Sequence, residues 1–143
     1  VPLNMHLIFM PAVTSLRDFV NAELPYRSTE GKMIVGHSKI MVTNSGGELH
    51  PGRKEFQEMV RESHFQGFPV AIHSVDMDSI DLILEVLKNE YLLGDRIEHA
   101  SELRDDQIVK MASLGVSVST QPSPRGNWLH QKLEKDRCII TFV

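Results

Sequence analysis

Two histidines close short apolar segments in the same way. His73 lies in Val70–Val75 (VAIHSV) and His99 in Arg96–Ala100 (RIEHA). Each stands at the C-terminal end of an expected strand, just ahead of an expected helix. In parallel α/β folds these strand ends form the rim where ligands and catalytic groups gather. A neutral imidazole at such a rim is a good ligand for zinc or iron. One such histidine is most simply a hydrogen-bonded rim residue. Two at equivalent positions on successive strands bring metal binding into play. Lys39 sits inside an otherwise apolar segment, SKIMV. A buried ammonium is costly unless paired or chemically altered. Either its stem carries the amine out to solvent or to the rim, or it is a functional lysine beside the histidines. Gln121 ends a further strand ahead of Pro122 and faces the same rim.

The other histidines carry weaker signals. His64 falls on a charge-rich helix and is expected to be exposed. His50 lies in a glycine-rich loop, within reach of a pocket. His6 and His37 flank strands with no partner in view, and His130 lies near the C-terminal end. Glu134–Arg137 reads as a solvated face, and Trp128 as a packing residue. No GxSxG nucleophile elbow and no phosphate-cradling glycine pattern occurs, and Cys138 has no flanking signature.

The elements that must position these groups follow from periodicity. Val1–Phe9 and Met33–Val42 are expected strands, separated by a helix over Leu16–Leu24 with Leu16, Phe19, Val20 and Leu24 on one face. Thr43–Gly52 is a polar loop. Arg53–Gln66 is a helix whose inner stripe is Phe56, Met59, Val60 and Phe65, capped by Gly67. After Val70–Val75, Asp76–Asp78 open a helix through Ser79–Tyr91 with Ile80, Ile83, Leu84 and Leu87 inward. Ser101 is the expected N-cap of a helix over Leu103–Leu114 that Gly115 ends. Val116–Gln121 is a strand, Pro122–Gly126 a loop, Trp128–Lys135 a helix and Cys138–Phe142 a last strand. The strand–helix rhythm predicts βαβ units on a parallel sheet, in either a doubly wound or a barrel arrangement.

Composition sets outer bounds. The chain has 143 residues, 41% hydrophobic and 24% charged, with a formal net charge of −4. That suits one ordered domain and argues against a nucleic-acid groove. No apolar run approaches the ~18 residues of a membrane span. A single cysteine excludes an internal disulfide, so a cytoplasmic location is expected. Strand-like segments at both ends, and a valine at position 1, suggest a fragment of a longer domain.

In this order, GHSKIMV, a glycine-rich loop, GFPVAIHSVDMDSIDLILEVL, DRIEHASEL and LGVSVSTQPSP resemble the amidohydrolase-3 (YtcJ-like) branch of the amidohydrolase superfamily. The likeness is strongest over residues 38–124. It implies an α/β fold: a partial (β/α)8 TIM barrel of the metal-dependent hydrolase type, with about five to six β/α units across residues 1–143. By this likeness His73 and His99 are metal ligands on the fifth and sixth strands. Lys39 lies on the fourth, where relatives carry a catalytic lysine, often carboxylated, that bridges two metals. Glu98 and Gln121 line the pocket, Gln121 as a substrate-binding position. The implied cofactor is a divalent metal, zinc, in one or two ions. The implied substrate is a small molecule with a carbon–nitrogen bond other than a peptide bond.

The chain departs from the family pattern in several places. It has no His-x-His pair, no acidic residue soon after Lys39, and Asp76–Met77 where Gly-Asp is usual. Its candidate eighth strand, CIITFV, ends where the family's aspartate is expected. A whole barrel needs about 250 residues. The competing reading is a truncated, non-catalytic α/β domain that self-associates through open sheet edges. A doubly wound phosphate-binding or receiver-like domain fits the rhythm but lacks a phosphate loop or acidic cluster.

Overall fold

The computed structural model describes residues 5–120 and, as backbone, 139–142. Gln121, the Pro122–Gly126 loop, the Trp128–Lys135 helix, His130, Glu134–Arg137 and Cys138 lie outside the described residues, as do the first four positions of the expected Val1–Phe9 strand.

The centre of the fold is a five-stranded, all-parallel sheet. Its strands are β4 (Ser38–Met41), β7 (Val70–Ser74), β8 (Arg96–His99), β9 (Ser117–Thr120) and β10 (Ile139–Phe142), and neighbours in sequence are neighbours in space. Helices α2 (Arg53–Phe65), α3 (Met77–Glu90) and α4 (Asp105–Leu114) link the first four in turn. Two short strands, β5 (Thr43–Ser45) and β6 (Glu48–His50), form a hairpin after β4. The chain opens with β1 (Leu7–Phe9), a 3-10 turn (Val13–Ser15), α1 (Leu16–Asn21), β2 (Thr29–Glu30) and β3 (Met33–Val35); these strands form a separate sheet in the order β1-β3-β2. Among the described residues, no helix is long and apolar enough to cross a membrane.

The two faces of the main sheet differ. Ile40, Val70, Ile72, Ile97 and Val118 turn toward the helices and join Phe56, Val60, Ile80, Ile83, Leu87, Ile108 and Met111 in one buried core. Burying such side chains contributes roughly 1.5–3 kcal/mol each. The period-2 alternation of a strand places Lys39, Met41, Ala71, His73, Arg96, Glu98, Ser117 and Ser119 on the other face. The register confirms the rows: Lys39 pairs with Ala71 and Ala71 with Arg96, while Met41 pairs with His73 and His73 with Glu98.

Asp76 starts α3 as expected from sequence, its Oδ1 accepting the Ser79 N–H at 3.0 Å and its Oδ2 the Ser79 hydroxyl at 2.7 Å. Ile80, Ile83, Leu84 and Leu87 are buried. Gly115 ends α4 in the left-handed region at φ 76°, where glycine carries no Cβ penalty.

Several expectations are corrected. Met33–Val42 is two strands in two sheets, broken at Gly36–His37. A Cβ on Gly36 would lie 2.8 Å from Ile8 Cγ2 and 3.3 Å from the Phe9 carbonyl, so a larger residue would push Ile8 aside where the chain passes β1 and changes sheets. Thr43–Gly52 contains the β5–β6 hairpin rather than a plain loop. Its turn residues Gly46 and Gly47 have φ 63° and 89°, the two positive values a tight two-residue hairpin turn requires. Arg104, not Ser101, is the N-cap of α4, and its N–H donates to Gln107 Oε1 at 3.0 Å. The first strand is short and exposed rather than buried. Val20 and Phe65 leave their expected inner faces; Phe65 is 83% exposed.

Candidate functional site

β7 and β8 run side by side in parallel, so their C-terminal ends meet at one rim. The His73 and His99 rings lie there edge to face, with centroids 4.7 Å apart and an interplanar angle of 73°. Alternation alone would turn His99 to the helix side with Ile97. The chain leaves the pleat instead: His99 and Ala100 take φ values of 72° and 47°. A left-handed backbone costs a non-glycine residue about 1–2 kcal/mol, so this bend must be held by its surroundings.

Lys39 is half-buried on the same face, one row below the histidines. Burial pushes its amine below the ordinary lysine range; the Glu98 carboxylate opposes this shift and the Arg96 guanidinium adds to it. Burial likewise holds the His73 imidazole below its ordinary value, helped by the His99 and Lys39 charges and opposed by Glu98. The depressed values favour a neutral imidazole, the form that ligates metal, and a neutral amine, the form that reacts with carbon dioxide. Glu98 is buried and accepts from Arg96 Nε at 2.6 Å. Ser119, in the same row as Glu98, is buried with a hydroxyl that has no hydrogen-bond partner among the described residues.

The donor set fits a metal ion in part. Two imidazoles bound to one tetrahedral zinc at about 2.0–2.1 Å place their ring centres about 5 Å apart, close to what His73 and His99 show. A catalytic zinc usually takes three protein ligands plus water. Among the described residues, no group of three His, Cys, Asp or Glu side chains is placed to hold one ion.

The other sequence candidates fall elsewhere. His50 ends the hairpin, exposed, with Nε2 3.9 Å from Glu48 Oε2. His37 is not partnerless: its Nε2 lies 3.1 Å from the Gly94 carbonyl and 3.4 Å from the Tyr26 hydroxyl, and burial lowers its pKa. His64, expected to be exposed, is only 14% so, with Nε2 3.0 Å from Oδ1 of the buried Asp95. Arg96 is a further residue of this face, and its i and i+2 spacing from Glu98 on one strand is the sequence signal that pairs them.

A parallel sheet covered by helices on one face, with polar groups converging at its carboxyl rim, defines the α/β class whose sites lie at strand ends. Within that class, a model described as the amidohydrolase family matches residues 18–139, and the chain belongs to that family. Among solved structures it is similar to an uncharacterised metal-dependent hydrolase from Pyrococcus furiosus, at 20% identity and a TM-score of 0.80, covering 98% of this chain and 36% of that one. An uncharacterised metal-dependent hydrolase from Pyrococcus horikoshii OT3 is similar at 21% identity and TM-score 0.79, covering 98% and 35%. The atrazine chlorohydrolase of Arthrobacter aurescens TC1, complexed with zinc, is similar at 13% identity and TM-score 0.60, covering 91% and 30%. The chain thus spans about a third of the length of these structures. No curated protein matches it.

Proposed function

We propose that the chain is part of a metal-dependent hydrolase of partial (β/α)8 barrel form, in which His73 and His99 bind a divalent ion, zinc by preference. Its substrates are small molecules with a carbon–nitrogen bond other than a peptide bond, of amide, imide or N-acyl type. The observation that carries this reading is the 4.7 Å approach of the two rings at the C-terminal rim of a parallel sheet. A divalent ion held by His73 and His99 would supply Lewis acidity, activating water and polarising a carbonyl near neutral pH. This chain's residues hold and orient that centre. His73 stays neutral and ready to coordinate. Lys39, whose amine burial holds below the ordinary range, would add through Nζ to carbon dioxide, release a proton to solvent, and present the carbamate's anionic oxygen. Gln121, one residue past β9, contacts the substrate. Because the chain spans about a third of its structural neighbours, further ligands come from residues that complete the barrel.

The test is metal content and affinity. Zinc-loaded protein, measured by inductively coupled plasma mass spectrometry and calorimetry, should retain zinc, and the His73→Ala/His99→Ala double variant should lose it. Equal zinc retention by the double variant would refute the assignment.

A second reading, a non-catalytic α/β domain that self-associates through open sheet edges, is favoured by one observation. β1 is an edge strand whose Leu7, Ile8 and Phe9 are all exposed. Sedimentation of zinc-free and zinc-loaded protein separates the two readings: assembly with no zinc bound supports the second.

A further inference from the structure

The backbone at the end of β8 is more unusual than the residues on it. His99 and Ala100 are consecutive non-glycine residues in the left-handed region, at φ 72° and 47°. Histidine enters this region more readily than most residues, but alanine has no side-chain group to compensate there. Strain of this kind persists only where its surroundings over-determine it, and it clusters at functional sites. The clamp is visible. The Ala100 N–H donates to the Ser74 carbonyl and to the Glu98 carbonyl, each at 3.0 Å, and the Glu102 N–H donates to the Val75 carbonyl at 2.9 Å. The chain leaving β8 is therefore stitched to the end of β7, beside His73. Ala100 is fully buried, so its methyl group is enclosed while its backbone is held in the bend. Without the bend, the register that pairs His99 with Ser74 would leave the imidazole on the helix-covered face, away from His73.

We infer that Ala100 is a positioning residue: its left-handed backbone, pinned to β7, turns the His99 ring across the sheet to meet His73. The inference rests on the two-histidine centre proposed above, and it explains why a small residue follows His99. A β-branched side chain resists the left-handed region and would favour an extended chain at this point. Glycine would accept the bend freely.

The experiment uses Cu2+ as a spectroscopic probe of the chain, with Ala100→Val, Ala100→Gly and His99→Ala variants. Nitrogen hyperfine structure in the electron paramagnetic resonance spectrum counts bound imidazoles. The native chain and Ala100→Gly should show two, and His99→Ala one. Ala100→Val should show one, with Cu2+ affinity reduced about 10–100-fold, as when a metal ligand loses its orienting support. In parallel, NMR of the metal-free native chain should show strong intraresidue HN–Hα cross-peaks at His99 and Ala100, the mark of positive φ, and contacts between the two rings. A folded Ala100→Val variant that keeps two imidazoles at native affinity overturns the inference. So do extended φ values at His99 and Ala100 with the rings still in contact, a result that decides the matter even if Ala100→Val does not fold. A native chain with only one bound imidazole, but with positive φ and touching rings, overturns the metal-centre reading and leaves the positioning geometry standing.

Discussion

Asp95 is the fastening beneath the candidate site, and its removal yields a quantitative test. The residue lies just before β8, with a side chain 0% exposed. Oδ1 accepts the Val70 N–H at 2.9 Å, at the start of β7, and lies 3.0 Å from His64 Nε2 on α2. Oδ2 accepts the Leu92 N–H at 2.8 Å, just beyond α3. One carboxylate thus ties together the lower ends of the two strands that carry His73 and His99 and two of the helices behind them. In Asp95→Ala the buried Val70 N–H loses its acceptor at about 1–3 kcal/mol, and the half-buried Leu92 N–H, which water partly reaches, loses about 0.5–1.5 kcal/mol. His64, at the edge of solvent, recovers part of its loss from water and adds about 0.5–1 kcal/mol. The sum is about 2–5.5 kcal/mol, a large share of the 5–15 kcal/mol typical of a folded domain. Urea denaturation followed by circular dichroism measures it. The control is His64→Ala, which leaves Asp95 its two backbone donors and should cost only about 1 kcal/mol beyond lost packing. A loss below about 1 kcal/mol in Asp95→Ala, or equal losses in both variants, would refute this account.

Other perturbations have signs fixed by the same structure. Asp76→Ala removes the N-cap of α3 and should cost about 1 kcal/mol in the same denaturation assay. Gly47→Ala meets no atom within 4 Å of the added Cβ, so at φ 89° its cost of about 1 kcal/mol is backbone strain alone, with no change in zinc affinity. His73 is held below its ordinary pKa by burial, then by His99 and Lys39. As pH falls through about 6.5 the unfolded chain takes up this proton before the folded one does, so His73 contributes stability above that pH and loses it on acidification toward its lower folded value. Since His37 is also held low, His73→Ala should reduce, but not abolish, the loss of stability between about pH 7 and 5 in urea titrations.

What was legible in the sequence depended on whether the deciding contact was local. The α3 stripe of Ile80, Ile83, Leu84 and Leu87 could be read because helical period and burial agree over about two turns. β7 and β8 could be read because short apolar runs between turn signals have few other uses. The break at Gly36–His37 could not: apolar residues on both sides are equally content in either sheet, and only the approach of Ile8 shows where the chain crosses over. The Gly46–Gly47 pair was a hairpin signal in plain view, hidden by the polar, short strands around it. His64 looked exposed because its partner, Asp95, is 31 residues away. That His73 and His99 share one rim was legible from their strand-end positions, but the register sets them one residue apart and on opposite faces by alternation, and the turn that brings the rings together has no local mark in the sequence.

The sheet's two faces explain why this rim can hold chemistry at all. Parallel strands are usually covered on both sides and read as unbroken apolar runs. Here Ile72 and Ile97 satisfy the helix side, while Ala71 and His73, and Arg96 and Glu98, alternate with them on the other. Half of each strand is therefore released from core packing. The charges on that released face are arranged in order: Arg96 holds Glu98 at 2.6 Å, and Glu98 faces the row of His73 and Met41. Its carboxylate opposes the burial that drives Lys39 and His73 toward neutrality. Replacing Glu98 with glutamine would leave burial less opposed and lower both pKa values further, while freeing Arg96 to repel a cation at the rim. Glu98 thus limits how far burial lowers both groups, and the sequence writes this polar face as the alternate residues of two strands.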